Sequence, residues 1–362
     1  MDDLQYEELL SASDALFTFR PQIPKPHEIH ALNEEQQANF LQYFHDPVRA
    51  GLPDYRRVVS YLRLLTSNFN YRTDTFNAAD TITTNSGNCL SLAILTTVLA
   101  QLVGVETGYQ LMDSEPVFEF HGTLVEKGVH VRTLLLNSKR LAQPANLRES
   151  RGIAIDFFPT QRERFIRNMQ AGEYVAMYYR NIAIEALGNN DLSKSYRYAR
   201  ESLQYHPRSS AALNTLAIVN RRAGHLETSE AIYRYAIQNA DEKLTLLKNY
   251  RLLLVSAGRH AEAQLIDAQL QRMDDPSPFN WFHLARSAFE DGDFRRAIDY
   301  YNRALALAPY LHEAHAGLAR SYFELGYSDR SKQELVAAIE NAGRLSDRKY
   351  YKAKLASFLS EN

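Results

Sequence analysis

The feature that most constrains this chain is a turn signal that recurs every 34 residues in its second half. The turn pairs are Asn190-Asp191, Gly224-His225, Gly258-Arg259, Gly292-Asp293 and Gly326-Tyr327. Glycine and asparagine of this kind punctuate helical segments. Five copies in one phase predict a solenoid, in which units of equal length stack and each buries its apolar face against its neighbours.

The fourth copy carries the clearest pattern of large and small residues. Trp281, Leu284 and Ala285 precede its turn, and Ala297, Tyr301, Ala304 and Pro309 follow it. This pattern resembles the tetratricopeptide repeat, which implies two antiparallel helices in each copy. Small residues recur in the series Ser195, Ser229, Ala263, Ala297 and Ser331, and in the series Ser202, Ala236, Leu270, Ala304 and Ala338. The large Leu270 predicts that the third copy is the loosest.

The repeats set the domain boundaries that we predict. Five helix pairs span 176–344, and the amphipathic segment 345–362 is expected to be a helix that caps the open end of the stack. Residues 1–175 behave differently, because helical spacing comes first and short β-branched or aromatic runs follow. We therefore expect an α+β domain with a mostly antiparallel sheet, followed by an all-α solenoid.

Cys89 is the only cysteine of the chain, and it stands where a polar turn leads into a strongly apolar helical segment. Unpaired N–H groups at the start of that helix would stabilise negative charge on the sulfur and on a reacting oxygen. Nucleophilic catalysis needs both kinds of stabilisation. Cys89 is therefore the candidate nucleophile.

A thiol nucleophile also needs a base and a group that orients the base. His130 lies in a predicted strand, where it shares a face with Arg132 and Leu134. Asp156, in an apolar run, is the candidate that would hold the imidazole in one tautomer. His121 is a rival base, nine residues before His130.

The order of these residues resembles the transglutaminase-like superfamily of papain-type cysteine hydrolases and acyltransferases. The matching motifs are Gly-Asn-Cys-Leu-Ser-Leu-Ala around Cys89, His-Val-Arg-Thr-Leu-Leu from His130, Ile-Asp-Phe-Phe around Asp156 and Tyr-Tyr-Arg-Asn at 178–181. More narrowly, the chain resembles bacterial proteins that join such a domain to tetratricopeptide repeats, over about residues 16–339. The resemblance implies an α+β papain/transglutaminase-like domain with Cys89 as nucleophile, His130 as general base and Asp156 as the orienting residue. No residue matches the side-chain oxyanion donor of papain-type enzymes.

The implied function is that of a cysteine-dependent amide hydrolase or acyltransferase, which forms a thioester with a protein or peptide while the repeats recruit substrate or partner. The alternative is a non-enzymatic interaction adaptor whose transglutaminase-like domain is inactive.

The first helix of each repeat is expected to line a concave groove that binds a protein or peptide. Residues at one phase of these helices are Arg180, Asn214, Lys248, Phe282 and Ala316. A second row, four residues on, holds Ile184, Ile218, Leu252, Arg286 and Arg320, and Arg221 and Arg222 lie nearby. Such cations suit an acidic peptide or a chain terminus through charge-assisted hydrogen bonds. The other interpretation is that they belong to ordinary solvated helix faces.

Composition and motifs exclude several other classes. Lys plus Arg total 41 against 43 for Asp plus Glu, so the net charge of −2 gives no global field that would attract nucleic acid. The histidines form no helical metal motif and no Gly-rich phosphate loop is present, so we predict neither a metal nor a cofactor. We also predict no membrane span and, from the start Met-Asp-Asp-Leu-Gln, a cytoplasmic location. If an export signal had been removed, the location would be the periplasm or the cell envelope.

Overall fold

A computed structural model describes residues 8–113 apart from 9 and 12, 129–136, 152–155, 164–271, 278–342 and 345–360. Its internal contacts divide the chain into two compact units, Met1–Asp267 and Ala268–Asn362. The first unit holds the sheet and most of the first three helix pairs. The second unit holds the helices of the last two copies and the C-terminal helix.

The first unit opens with an N-terminal segment, residues 8–24, and a group of helices. These helices are α1 (Pro26–Ile29), α2 (Glu34–His45), α3 (Asp54–Leu65), α4 (Ala78–Thr84) and α5 (Cys89–Leu102). Asparagine side chains cap three of them, since Asn33, Asn77 and Asn88 each accept a hydrogen bond from the backbone N–H three residues on. Residues 90–100 of α5 are all buried, so this helix lies at the centre of the N-terminal core.

The described strands form a small antiparallel sheet beside these helices. Its order is β5-β4-β3-β6, with β3 (Thr107–Asp113), β4 (Val129–Leu136), β5 (Gly152–Ile155) and β6 (Arg164–Met169), and a separate parallel pair joins β1 (Asn70–Tyr71) to β2 (Ser86–Gly87). In β4, Val131, Thr133 and Leu135 are buried, and α5 contacts this strand. Because side chains of a strand alternate, α5 covers one face of the sheet. The sheet agrees in part with the predicted α+β class.

The rest of the described chain consists of helices. In order they are α6 (Ala171–Gly188), α7 (Leu192–Tyr205), α8 (Ser210–Arg222), α9 (Leu226–Asn239), α10 (Leu244–Ser256), α11 (His260–Gln271), α12 (Pro278–Glu290), α13 (Phe294–Leu307), α14 (His312–Glu324), α15 (Ser328–Asn341) and α16 (Leu345–Ser360). The successive pairs α6/α7, α8/α9, α12/α13 and α14/α15 pack together. The boundary between the two units lies within α11.

The 34-residue turn signal has a backbone cause. The first helix of each pair is followed by a residue with a left-handed backbone, at Asn190 (φ 59°), Gly224 (φ 89°), Gly258 (φ 73°), Gly292 (φ 79°) and Gly326 (φ 79°). Only glycine, and less readily asparagine, adopts such angles without strain. The predicted phase of the five turns is confirmed.

The predicted small residues lie where the helices of a pair touch. Ser229, Ala297 and Ser331 are fully buried. The hydroxyl of Ser229 donates to the carbonyl oxygen of Ala217, and that of Ser331 donates to the carbonyl oxygen of Ala319, each at 2.7 Å. A larger side chain at these positions would force the two helices apart.

A glycine inside α14 tests how closely successive helix pairs pack. A Cβ atom at Gly317 would overlap the ring of Tyr301 in α13, which is itself buried. We expect Gly317→Ala to lower the free energy of unfolding by about 1–3 kcal/mol, since overpacking outweighs the gain in helix propensity. The matched control is Gly188→Ala in α6, where nothing lies within 4 Å of the added methyl group. Urea unfolding of both variants decides the point, and equal stabilities would contradict the packing.

Candidate functional site

Cys89 is the first residue of α5, as the sequence predicts, and its side chain is half-buried. Asn88 caps the helix by accepting a hydrogen bond from the backbone N–H of Ser91 at 2.9 Å. A Cβ atom at Gly87 would lie 2.7 Å from the Cβ atom of Ser91, so only glycine fits immediately before the cap. The start of the helix is therefore fixed by local contacts.

A buried network connects this helix start to the first repeat helix, α6. The side-chain amide of Asn88 donates to the hydroxyl of Thr75 at 2.7 Å. The backbone N–H of Thr75 donates to Glu185 Oε1 at 2.9 Å, and the side-chain amide of Asn181 donates to the Thr75 hydroxyl at 3.3 Å. Through these contacts α6 fixes the position of Thr75, and Thr75 in turn fixes Asn88, the cap of α5.

Glu185 is the titrating member of this network. Burial raises the pKa of the Glu185 carboxyl to about 7, and the hydrogen bonds from Thr75 oppose this rise. The negative charge of Asp74 adds to the rise in pKa, and the positive charge of Lys194 opposes it. The charge of a carboxyl group that anchors α6 to the Cys89 helix therefore depends on pH near neutrality.

The remaining members of the predicted triad are described only in part. His130 lies in β4, where its Cα pairs with that of Met112 in β3. The structure describes the backbone of His130 and not its side chain, and Asp156 and His121 lie outside the described residues. The contact of Cys89 with an imidazole stays a prediction.

Two residues predicted to contact a partner in the first unit make contacts within the chain. The side-chain amide of Asn249 donates to Asn214 Oδ1 at 2.9 Å, and both side chains are buried. Arg222 donates to the carbonyl oxygen of Leu187, at the end of α6, at 3.0 Å. Asn214 and Arg222 therefore join neighbouring repeats.

Arg180 and Lys248 lie at the same phase as Asn214, and both are half-buried. Arg180 donates to Asn181 Oδ1 at 3.0 Å. This contact places the guanidinium next to the network that joins α6 to the loop around Thr75.

The second unit presents a different surface, formed by the first helices α12 and α14. It consists of Arg286, Phe289, Arg320 and Phe323, and we call it the arginine–aromatic face. The guanidinium carbon of Arg320 lies 4.5 Å from the centre of the Phe289 ring, so the two helices meet at these residues. The Arg286 side chain is 52% exposed and Phe323 is 48% exposed.

The two arginines and the carboxylate of Glu290 are the charged groups that act on Tyr301 beside this face. Burial raises the pKa of Tyr301 to about 12, and the positive charges of Arg320 and Arg286 both oppose this rise. Both guanidiniums therefore act on one buried hydroxyl beneath the face. Among the described residues, Glu290 forms an ion pair with Arg286 at 3.5 Å, and that carboxylate is itself largely exposed. Phe282, which we predicted to contact a partner, is 8% exposed and packs against Tyr301.

Comparison with known proteins identifies the type of repeat that the helix pairs form. The family model of the tetratricopeptide repeat matches residues 278–311, the pair α12/α13. The chain contains tetratricopeptide repeats. No curated protein matches the chain. None of the described helices is long and apolar enough to cross a membrane.

Several solved structures align with part of the chain. PilF from Pseudomonas aeruginosa aligns with a TM-score of 0.44 and 16% identity, over 53% of this chain and 87% of its own. MamA from Desulfovibrio magneticus RS-1 aligns with a TM-score of 0.36 and 14% identity, over 46% of this chain and 94% of its own. YrrB, described as a TPR protein with an unusual peptide-binding site, aligns with a TM-score of 0.35 and 14% identity, over 49% and 92%.

Phe289 and Phe323 are the members of the arginine–aromatic face that the sequence prediction missed. They stand 34 residues apart, at one phase of the tetratricopeptide repeats, three residues after Arg286 and Arg320. The same periodicity that identified the arginines could have found them.

Proposed function

We propose that the chain is a protein-interaction protein whose second unit binds an acidic segment of a partner through the arginine–aromatic face. The observation that carries this proposal is the pair of arginines, Arg286 and Arg320, placed one repeat apart beside two phenylalanines on adjacent first helices. The tetratricopeptide repeats support an interaction role in general. The arginines supply the preference for negative charge.

The chemistry of the face suits carboxylates. A guanidinium forms paired hydrogen bonds with a carboxylate, and it keeps its charge at every physiological pH. Arg320 is also stacked on Phe289, so it loses less conformational freedom on binding than a free arginine would. Phe323 offers an exposed apolar surface for a side chain of the ligand. A ligand with alternating acidic and apolar residues would use both features.

The test is a binding measurement with two matched peptides and the full chain. One ten-residue peptide alternates Asp or Glu with Leu, and the other has Asn or Gln in place of each acid. We expect micromolar affinity for the acidic peptide, at least tenfold weaker binding of the neutral one, and loss of the difference at high salt. Equal affinities measured by fluorescence anisotropy would contradict the proposed preference.

We also propose that the chain divides into a transglutaminase-like domain at 1–175, five repeats at 176–344 and a capping helix at 345–362. The division at 175 is supported by the small sheet, whose last described strand ends at Met169, just before α6. The cap is supported by Tyr351 of α16, which is buried against Ala338 and Ala342. In the interaction role the N-terminal domain is a structural element attached to the first repeat.

A second candidate function is thiol chemistry at Cys89, and the position of Cys89 at the start of a capped helix favours it. In this reaction the sulfur attacks the carbonyl carbon of an amide, a thioester forms and the C–N bond breaks. His130 would take the thiol proton and deliver it to the leaving amine, and Asp156 would orient the imidazole. Water or an amine would then cleave the thioester.

Alkylation of the single cysteine tests this second candidate. We expect Cys89 to react with iodoacetamide faster than a model thiol at neutral pH, because His130 would take the proton of the thiol as it reacts. His130→Ala should slow the reaction, whereas the control His45→Ala, an exposed histidine of α2, should not. Mass spectrometry gives the rates. Equal rates in the wild type and both variants would contradict the proposal that His130 activates the thiol.

A further inference from the structure

The N-terminal segment lies on the helices of the first two repeats through contacts that the proposed function does not use. Its described residues between 8 and 14 are helical. Leu10, Ser13 and Phe17 are buried. Leu10 and Ser13 are three residues apart, the spacing of one helix face, and Phe17 follows the helical part after a turn at residues 15 and 16.

The apolar contacts of the segment centre on one tyrosine of α7. The ring of Phe17 stacks on the ring of Tyr196, with centroids 4.2 Å apart and planes at 13°. The edge of the Phe17 ring faces His225, in the turn between α8 and α9, at 6.3 Å. The Tyr196 hydroxyl donates to the carbonyl oxygen of Leu10 at 3.2 Å. Tyr196 therefore binds the segment at two points, by a hydrogen bond at Leu10 and by ring stacking at Phe17.

The polar contacts of the segment centre on Asp14. Arg197 donates to Asp14 Oδ1 at 3.1 Å and to the carbonyl oxygen of Asp14 at 2.9 Å. Arg200 donates to Asp14 Oδ2 at 3.3 Å, so two guanidiniums hold one carboxylate. The Ser13 hydroxyl donates to Asn220 Oδ1 at 3.0 Å, and this hydrogen bond is buried. Three of these four hydrogen bonds depend on the side chains at positions 13 and 14.

Burial of two large apolar side chains offsets only part of the backbone freedom that about ten residues lose. The segment therefore stays docked only with the help of the polar contacts of Ser13 and Asp14. Residues 18–20, which link the segment to the rest of the chain, are exposed and have no regular secondary structure. Segments with few buried side chains and an exposed link open locally, without global unfolding.

We propose that the surface formed by Tyr196, Arg197, Arg200, Asn220 and His225 is a second peptide-docking site, which residues 8–17 occupy reversibly. Its ligand is a segment whose helical part carries a leucine and a Ser-Asp pair three residues later, with a phenylalanine beyond the helix, three residues after the aspartate. The site lies on α7 and at the end of α8, in the first unit, and is separate from the arginine–aromatic face in residues and in ligand. Release of the segment exposes a cationic, aromatic surface for a partner segment of the same chemistry.

Competition between the segment and a free peptide tests the proposal on the full chain. The probe is a fluorescein-labelled peptide with the sequence of residues 8–22. In the wild-type chain the tethered segment competes at an effective concentration near the millimolar range, so the probe should bind weakly. Phe17→Ala weakens the tethered segment, and we expect that variant to bind the probe at least tenfold more tightly. Phe19→Ala is the matched control, since Phe19 is 60% exposed, and it should behave as the wild type.

A charge exchange makes the test specific. Adding Arg197→Glu to the Phe17→Ala chain should abolish binding of the probe, and a probe carrying Asp14→Arg should restore part of it. Absence of probe binding to a Phe17→Ala chain with wild-type circular dichroism would overturn the proposal. A wild-type dimer that depends on Phe17 would place the segment on a second copy and would overturn the docking in cis.

Amide hydrogen exchange in the wild-type chain tests the reversible docking without the Phe17→Ala variant. In the wild-type chain, we expect amides of residues 10–17 to exchange at least 100-fold faster than the protected amides of α7 and α8. Equal protection of the segment and the two helices would show a permanent structural element and would overturn the reversible docking.

Discussion

Reversing the charges of Arg286 and Arg320 should weaken binding of the acidic peptide by about 30-fold and leave the repeats folded. A charge-assisted hydrogen bond contributes about 1.5–3 kcal/mol when it is shielded from water, and less at an exposed site. Discounting for exposure gives about 1 kcal/mol for each arginine, and the like charges of two glutamates add a penalty. The combined loss of about 2 kcal/mol corresponds to roughly 30-fold in affinity.

The matched control for this charge reversal lies on the second helix of the same repeat. Arg295 and Arg296 of α13 are exposed, so changing both to glutamate alters the net charge of the chain by the same amount. We expect that control variant to bind the acidic peptide nearly as well as the wild type. If both double variants lost affinity equally, the effect would come from the overall field of the chain and the arginine–aromatic face would not be the site.

Glu185→Gln should stabilise the first unit at pH 8 by about 2–3 kcal/mol and change its stability little at pH 5. Burial raises the pKa of Glu185 from its ordinary 4.5 to about 7 in the folded chain. Because the folded state holds the extra proton, this carboxyl contributes stability below pH 4.5 that is lost as the pH rises through about 7. A shift of this size corresponds to about 3 kcal/mol, reduced by partial exposure. Glutamine keeps the acceptor for Thr75 and carries no charge at any pH.

Urea unfolding of the wild type and the variant at pH 5 and pH 8 measures this effect. The quantity that matters is the difference between the two proteins at each pH, because other groups titrate equally in both. The control is Glu227→Gln, an exposed carboxylate at the start of α9. A difference between wild type and Glu185→Gln that is the same at both pH values would contradict a titrating carboxyl in the network.

The sequence predicts the repeat module in detail because local rules determine it. The positions of the turns follow from left-handed backbone angles, and the small residues follow from the close approach of paired helices. Both signals repeat five times, so each copy supports the others. The start of α5 at Cys89 is predicted equally well, since Asn88 and Gly87 act within one turn of the helix.

The contacts that the sequence does not reveal join residues far apart in the chain. Glu185 meets Thr75, which lies 110 positions away, and Tyr196 meets Leu10, which lies 186 positions away. No periodicity links such pairs, so pattern analysis has no signal for them. The predicted roles of His130 and Asp156 are of this long-range kind, and they remain predictions.

The sequence pattern also does not show how deeply a side chain is buried, and the roles of some predicted residues depend on that. Asn214 shares the phase of the predicted groove-lining residues and Arg222 lies nearby, yet each makes a hydrogen bond to a neighbouring repeat. The repeat phase gives the direction of a side chain and does not give the distance to the next helix. Arg286 and Arg320, in contrast, are exposed.

The most direct test of the account is a hydrogen-exchange footprint of the bound acidic peptide on the full chain. We predict slower exchange in α12 and α14, over residues 282–290 and 316–324, and no change in α13 and α15. Protection confined to α13 and α15, or no protection at a saturating peptide concentration, would contradict the claim that the chain binds an acidic partner through Arg286 and Arg320.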